Sequence, residues 1–308
     1  MNIVLHIGPH KTGTTSIQTH LRSLLGEPVA GGYWYPIPGA HGPGHADLAR
    51  ACLKEARPVV ELNQVIATAQ AAEVGTLVLS AEDIAHAFPR RLNRLEDALA
   101  GHELHLVVTL NEIGRRAGSI WQELVKSGDV VGLERGIEKV LSEQPAMQPQ
   151  LTRAFIDALE PRQTSVVLSH HRAQAAELLT NLCRAIGLFD AMPGTEAATR
   201  ASTLLLNQSL GITEAEILRS VNSWVRQAVG YLSQIPYMEI RDLYLNLFNT
   251  PTWRNSVPFL PITVPPAHMA EVLDRGRREV DDLKKLAHEG RVTIFGDLDA
   301  VEAALADG

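Results

Sequence analysis

The residues best placed to do chemistry lie near the start of the chain, in the stretch HIGPHKTGTTSIQTHL. Gly8 and Gly13 have the spacing of the two glycines in a phosphate-binding loop of the form G-x-x-x-x-G-K-[ST]. That motif requires a lysine directly after the second glycine, where this chain has Thr14, and the lysine lies three residues earlier at Lys11. The pattern therefore indicates an anion-binding loop in which the cation has moved.

The flanking residues supply the context that such a loop needs. The apolar run Asn2–Ile7 predicts a buried strand, and the spacing of apolar residues over Ser16–Leu25 predicts a helix. Backbone N–H groups at the start of a helix are free to bind an anion, and Lys11 adds a mobile charge. The alternative is an ordinary turn between a strand and a helix. Further hydroxyl and backbone donors are expected from Thr12, Gly13, Thr14, Thr15 and Ser16.

The rest of the chain alternates between apolar runs and helical patterns. Further strands are predicted over Thr76–Asp83, Glu103–Glu112 and Ser165–His171, with helices between them. Continuous apolar strands that alternate with helices are typical of a parallel sheet covered on both faces. The sequence therefore predicts an α/β fold, a three-layer sandwich with a central parallel sheet that resembles the P-loop architecture.

The C-terminal third has a different character. Thr213–Val229 and Ala267–His288 read as long amphipathic helices, and the proline-rich segment Gly230–Pro266 between them predicts irregular structure. Arg291–Leu305 predicts a last short strand and helix. We expect a single domain over residues 1–308, with the sheet core in 1–200 and a mainly helical extension in 201–308.

The composition excludes several classes of protein. The net charge of −7 argues against a nucleic-acid-binding protein, which would present a basic face. No apolar run is long enough to span a membrane, and the N-terminus lacks the pattern of a secretory signal. Only two cysteines are present, far apart, which argues against disulfides or a cysteine-based zinc site and favours buried thiols in a cytoplasmic protein.

Several segments together resemble the sulfotransferase family, in particular its bacterial sulfotransferase-like members. PHKTGTTSIQ is similar to the family's 5′-phosphosulfate loop, commonly written P-K-[ST]-G-[ST]-[ST]. LVLSAEDIA and VVTLNEIGRRAGSIWQELVKSG resemble the second and third strands with the residues after them. The resemblance implies 3′-phosphoadenosine 5′-phosphosulfate (PAPS) as the donor, PAP as the product, an alcohol or amine acceptor of small-molecule or glycan type, and no obligate metal.

The resemblance also assigns the residues around the 3′-phosphate of the donor. The family usually opens this segment with an arginine and continues with a serine some residues later. The serine is present as Ser119, but Asn111 occupies the arginine position. An amide does not replace a bidentate guanidinium on a phosphate. Arg115 lies one helical turn before Ser119 and is expected on the same face, so it is a candidate for the missing charge.

Transfer of the sulfuryl group requires a base for the acceptor's proton. Glu82 follows the second strand at the edge where open α/β sheets bind ligands, and the family uses either glutamate or histidine in this role. Glu82 is equally placed to stabilise the start of the next helix. His41 and His45, in the segment HGPGH, are a second option, although exposure to solvent is the default for loop histidines.

Two further features leave alternatives open. The aromatic residues Tyr237, Tyr244, Phe248 and Trp253 are candidates for an acceptor lid, a homodimer contact or a core patch, and Trp121 and Trp224 are expected in the core. Two other functions are also consistent with the sequence: a non-catalytic nucleotide-binding protein with an impaired donor site, and a divergent ATP-dependent kinase. The displaced lysine counts against the kinase.

Overall fold

The computed structural model describes residues 1–8, 14–36, 44–45, 60–81, 84, 93–143, 148–169, 175–191, 210–229, 235–258 and 260–306. The chain forms two compact units. The first, here called the sheet unit, comprises Met1–Glu112, Ala146–Asn207 and Arg277–Asp307. The second, the helical unit, comprises Ile113–Pro145 and Gln208–Gly276. The prediction of a single domain stays a prediction.

The sheet unit is built on six parallel strands in the order β2-β3-β1-β4-β5-β6. The strands are β1 (Asn2–Ile7), β2 (Tyr33–Trp34), β3 (Thr76–Ser80), β4 (Glu103–Asn111), β5 (Gln163–Ser169) and β6 (Thr293–Phe295). β1 lies in the middle, with His6 opposite Ser80 of β3 and opposite Val107 of β4. The predicted α/β class and parallel sheet are confirmed.

Alternate residues of each strand enter two separate apolar clusters, because successive side chains of a strand point to opposite faces. On one face Ile3, Leu5 and Ile7 of β1 join a cluster with α2 (Val60–Ala71), α3 (Asn93–Leu99) and α6 (Gln148–Leu159). On the other face Val4, Val78, Val107 and Val167 pack with α1 (Thr14–Leu25) and α7 (Ala175–Ala185). Helices therefore cover both faces of the sheet.

The described residues of the sheet unit contain two further helices and part of a third. α8 (Leu188–Ala191) follows α7, and α13 (Leu298–Ala306) follows β6, as the sequence predicts for the last strand and helix. The C-terminal half of the long helix α12 (Pro266–His288) also belongs to this unit, where Leu283 and Leu286 pack against the sheet. Cys183 of α7 is fully buried, as expected, whereas Cys52 lies outside the described residues.

The helical unit has its own apolar core. It contains α4 (Ile113–Lys126), α5 (Leu133–Glu143), α9 (Ile212–Val229), α10 (Ile235–Phe248), α11 (Pro251–Ser256) and the first half of α12. Trp121 lies at the centre of the core, fully buried, and its indole N–H donates to the carbonyl of Val131 at 3.0 Å. Gly136 of α5 has no room for a side chain, since an added Cβ would lie 2.1 Å from the Trp121 ring.

Two expectations for the C-terminal third are wrong. Gly230–Pro266 is not irregular throughout, because it contains α10 and α11. Pro236, Pro251 and Pro266 occupy the first or second position of their helices, where the missing N–H has no helical partner to lose. Trp224 is not in the core but is 63% exposed on α9.

The aromatic patch of the same segment is largely core. Phe248 is fully buried, and the rings of Tyr244 and Trp253 pack against it, with centroids at 6.0 and 5.0 Å. The side chain of Tyr237 lies outside the described residues. None of the helices that the structure describes combines the length and the apolar character needed to cross a membrane.

Candidate functional site

The strand order changes direction around β1, which marks the carboxyl edge of the sheet unit as the place to look for a ligand. The chain runs from β1 outward to β2, returns to β3 beside β1, and then crosses to β4 on the other side of β1. In open α/β sheets ligands bind beyond the carboxyl ends of the strands at such a switch point. β1 ends at Ile7, Gly8 is the last residue described before the predicted loop, and α1 begins at Thr14, so the loop connects β1 to α1.

The residues expected to bind the anion are only partly described. Lys11, Thr12 and Gly13 lie outside the described residues. Thr14, Thr15 and Ser16 form the first turn of α1, where backbone N–H groups have no partner within the helix. The strand and the helix that the loop motif requires are therefore both present, and the role of each loop residue stays a prediction.

A row of polar side chains marks the same edge on the face that α1 covers. Along this face the valines Val4, Val78 and Val107 are followed two residues later by His6, Ser80 and Thr109, all buried. Burying a polar group in place of an apolar one costs free energy unless it is hydrogen-bonded. A change from apolar to polar side chains near the carboxyl ends of adjacent strands, on one face, is a signal that the sequence carries and that motif reasoning missed.

These side chains form a hydrogen-bonded group with a residue of α1, here called the central polar cluster: His6, Gln18, Ser80 and Thr109. The His6 ring is 2.8 Å from Ser80 Oγ through Nδ1 and 2.7 Å from Thr109 Oγ1 through Nε2. The Gln18 amide donates to Ser80 Oγ at 3.1 Å. The cluster thus joins β1 and α1, the two elements that the predicted loop connects, with the neighbouring strands β3 and β4.

The His6 ring in this cluster is neutral at physiological pH. Burial lowers its pKa from 6.5 to about 4, because a charged imidazolium would lose its hydration there. A neutral imidazole has one donor and one acceptor nitrogen. Both tautomers of the neutral ring satisfy all three bonds, because the Ser80 and Thr109 hydroxyls can donate or accept while Gln18 donates to Ser80.

His45 borders the cluster, and the expectation of an exposed loop histidine is wrong for it. It is 7% exposed, and its ring packs edge-on against Tyr35 with a centroid distance of 4.7 Å. Its backbone N–H donates to the carbonyl of Ser80 at 2.8 Å, and the N–H of Ser80 donates to Nδ1 at 3.0 Å. His45 therefore fastens the segment 44–45 to the end of β3.

The same contacts argue against His45 as a general base. Nδ1 lies 3.0 Å from the backbone nitrogen of Ser80 and 3.2 Å from its carbonyl oxygen, so the backbone of Ser80 engages Nδ1 in either tautomer of the ring. Burial lowers the pKa of His45 to about 4, and hydrogen bonding to the backbone of Ser80 and Pro36 opposes that shift only in part. The other base candidates, Glu82 and His41, lie outside the described residues.

Gly44 shows how closely the segment before His45 approaches α1. An added Cβ on Gly44 would lie 2.5 Å from Gln18 Nε2 and 2.6 Å from its Cδ. Both distances are shorter than non-bonded contacts allow, so a side chain at this position would displace the Gln18 amide. Glycine at 44 thus leaves room for the bond between Gln18 and Ser80.

The three residues assigned to the 3′-phosphate lie in different surroundings. Asn111 is the last residue of β4, as the sequence predicts for the end of that strand, and is 3% exposed. Arg115 and Ser119 lie one turn apart on α4, in the helical unit, with Arg115 exposed and Ser119 half-buried. Their assignment to the 3′-phosphate stays a prediction. Among the described residues, no group of three or more His, Cys, Asp and Glu side chains could hold a metal ion.

The helical unit has a groove of its own between α9 and α10. Its volume is about 720 Å³, and its walls are mainly apolar. The lining residues include Ile217, Val221, Trp224, Ile240 and Tyr244. Nothing in the structure shows what covers this groove, so the choice between a ligand and a second copy of the chain stays open.

Comparison of the chain with protein-family models, with curated proteins and with solved structures gives no match in any of the three. The functional interpretation therefore depends on the loop motif and on the geometry of the carboxyl edge.

Proposed function

We propose that the protein is a PAPS-dependent sulfotransferase, which moves a sulfuryl group from PAPS to a hydroxyl or amine of a small-molecule or glycan acceptor. One observation carries the proposal: the segment PHKTGTTS connects the central strand of a parallel sheet to a helix N-terminus at the point where the strand order reverses. A P-loop-like architecture is part of this proposal. So is a cytoplasmic location.

The residues fit the donor at its 5′ end. The first turn of α1 offers backbone N–H groups at the carboxyl edge, and the helix dipole favours an anion there. In the proposal Lys11, Thr12, Gly13, Thr14, Thr15 and Ser16 hold the 5′-phosphosulfate. Lys11 stabilises the charge that grows on the leaving phosphate. At the 3′ end Asn111, Arg115 and Ser119 are assigned, with Asn111 offering neutral hydrogen bonds only.

The reaction needs one proton transfer and one displacement. Glu82 takes the proton from the acceptor hydroxyl, and the acceptor oxygen forms the new bond to sulfur. The bond between sulfur and the 5′-phosphate oxygen breaks, and PAP leaves with the electron pair. His41 is the alternative base, because the backbone of Ser80 engages Nδ1 of His45 and burial lowers the pKa of that ring to about 4.

The deciding experiment is a calorimetric titration of the purified protein with PAP and, separately, with ATP and Mg²⁺. The proposal expects PAP to bind without metal and to bind better than ATP. Metal-dependent binding of ATP alone would support a kinase instead. Binding of neither would support a non-catalytic relative in which the change to Asn111 has impaired the donor site.

Glu82→Gln tests the base separately from the donor site. Because the variant keeps the size of the side chain and removes its basicity, PAP release from PAPS should slow while PAP affinity stays nearly unchanged. A variant that keeps its turnover and loses thermal stability would instead assign Glu82 to the start of a helix, and His41 would be tested next.

A further inference from the structure

We infer that the central polar cluster of His6, Gln18, Ser80 and Thr109 positions the N-terminus of α1 for the donor. These are positioning residues, none of which is assigned to contact the reacting atoms. The inference rests on the proposed function and deepens it, because it adds to the proposed 5′-phosphosulfate site a set of residues that hold α1 in place.

The first argument is the location of the cluster. Two of its members belong to the elements that the loop connects, His6 to β1 and Gln18 to α1. The other two lie near the carboxyl ends of the strands beside β1, Ser80 on β3 and Thr109 on β4. Gln18 is the fifth residue of α1, so its bond to Ser80 ties the first turns of the helix to the sheet. The cluster therefore fixes α1 relative to three strands at once.

The second argument is the kind of contact. Apolar side chains would fill the same space, and the same face of the sheet is apolar one position earlier at Val4, Val78 and Val107. Apolar contacts tolerate small shifts, whereas hydrogen bonds are directional and weaken steeply when they are misaligned. A site that binds a transition state requires its groups to be held within about 0.5 Å. A buried polar group bonded to the first turns of α1 meets that requirement.

The third argument is that the segment before His45 adapts to the cluster. Gly44 leaves space for the Gln18 amide, and His45 binds the backbone of Ser80 on both sides. The two bonds of His45 hold the backbone of Ser80 in place and leave the Ser80 hydroxyl to the cluster. The segment 44–45 thus fits closely around two members of the cluster, Gln18 and Ser80.

The structure offers a matched control on the same face of the sheet. Ser165 of β5, like Ser80, is fully buried and hydrogen-bonded to a histidine, with its Oγ 2.9 Å from His105 Nε2. This second pair lies near the amino end of the strands, away from the loop. Ser80→Ala and Ser165→Ala therefore remove the same group from the same kind of contact at opposite ends of the sheet.

The test compares these two variants of the full chain in hydrogen–deuterium exchange of the α1 amides and in PAP affinity. Ser80→Ala should raise exchange over residues 14–20 at least ~10-fold above the level in Ser165→Ala, about the effect of one net hydrogen bond. Its dissociation constant for PAP should rise by a similar factor. Equal exchange in the two variants would overturn the inference. So would an unchanged PAP affinity in Ser80→Ala if the wild type binds PAP.

A second variant guards against a general loss of folding. Gln18→Met keeps the length of the side chain and removes only the bond to α1, while the bonds among His6, Ser80 and Thr109 remain. It should reproduce the faster exchange of α1 with a smaller loss of thermal stability. Exchange in α1 at the wild-type level would overturn the inference. If the wild type binds no PAP, the proposed function fails, and the exchange measurements still decide whether the cluster positions α1.

Discussion

The two ends of one face of the sheet contain the same chemistry in different surroundings. At the amino end, His105 of β4 and Ser165 of β5 form a single pair between neighbouring strands. At the carboxyl end, His6 contacts two hydroxyls, and the network continues through Ser80 to Gln18 of α1. The amino-end pair stabilises the sheet locally, whereas the carboxyl-end cluster connects the sheet to the helix that follows the loop. The difference supports the proposal that the carboxyl edge is the functional end.

The largest expected effect follows from Lys11. It is the only lysine or arginine between Gly8 and Ser16, so Lys11→Ala should reduce PAP release from PAPS by at least ~100-fold, the scale of losing one transition-state stabiliser. Lys139→Ala, on the exposed side of α5, is the control and should leave turnover unchanged. Turnover close to the wild-type rate in Lys11→Ala would remove this residue from the mechanism.

The second effect is a loss of folding stability at low pH. We expect it from the histidines at both ends of the face, His6 at the carboxyl end and His105 at the amino end. The folded-state pKa values of His6 and His105 are both lowered to about 4 by burial, against an ordinary value of 6.5. As pH falls below 6.5 the unfolded chain binds protons that the folded chain does not, so stability is complete above about pH 6.5 and decreases down to about pH 4. For the fully buried His6 the loss at pH 4 is about 3 kcal/mol.

Urea unfolding at several pH values measures this loss, and His6→Met should flatten the dependence between pH 6.5 and 4 by up to about 1.4 kcal/mol per pH unit. His105→Met should flatten it less, because that ring is only half-buried. Only the His6 variant should also change PAP affinity. A His105 variant that weakens PAP binding as strongly as the His6 variant would remove the functional distinction between the two ends.

A smaller effect is expected at Asn111, the last residue of β4. If its side chain faces the 3′-phosphate, Asn111→Asp places a negative charge against another one and should weaken PAP binding by ~10-fold, the scale of a lost hydrogen bond with added repulsion. Binding of 5′-AMP, which lacks the 3′-phosphate, should change much less. Calorimetry with both ligands measures the ratio, and equal weakening of the two would place the 3′ site elsewhere.

The smallest effect is expected at Gly44. Gly44→Ala introduces a methyl group within 2.5 Å of the Gln18 amide, so the bond between Gln18 and Ser80 should be lost. The free energy of unfolding should fall by about 1 kcal/mol, the net contribution of one hydrogen bond. Gly132→Ala is the matched control, since no atom lies within 4 Å of an added Cβ there. A Gly44 variant as stable as the Gly132 variant would show that Gln18 relocates without cost.

Local patterns were sufficient to predict most of the regular structure. β1 extends over Asn2–Ile7 as predicted, and α9 and α12 begin within one residue of their predicted starts. Strands buried on both faces and amphipathic helices leave periodic apolar patterns that depend on few distant contacts. The prediction of irregular structure over Gly230–Pro266 is wrong because proline breaks a helix interior and yet favours a helix start. The two cases look alike in a sequence until the helix bounds are known.

Contacts between distant segments decided what the patterns could not. The sequence by itself determined the α/β class, the parallel sheet and the loop motif between β1 and α1, because these depend on residues close together in the chain. Only the tertiary structure brought Ser80 and Thr109 to His6, from which they are 74 and 103 residues away along the chain. It also buried His45 against Ser80 and exposed Trp224 on α9. Whether a polar side chain finds a hydrogen-bond partner depends on strand register and order, which no local pattern encodes.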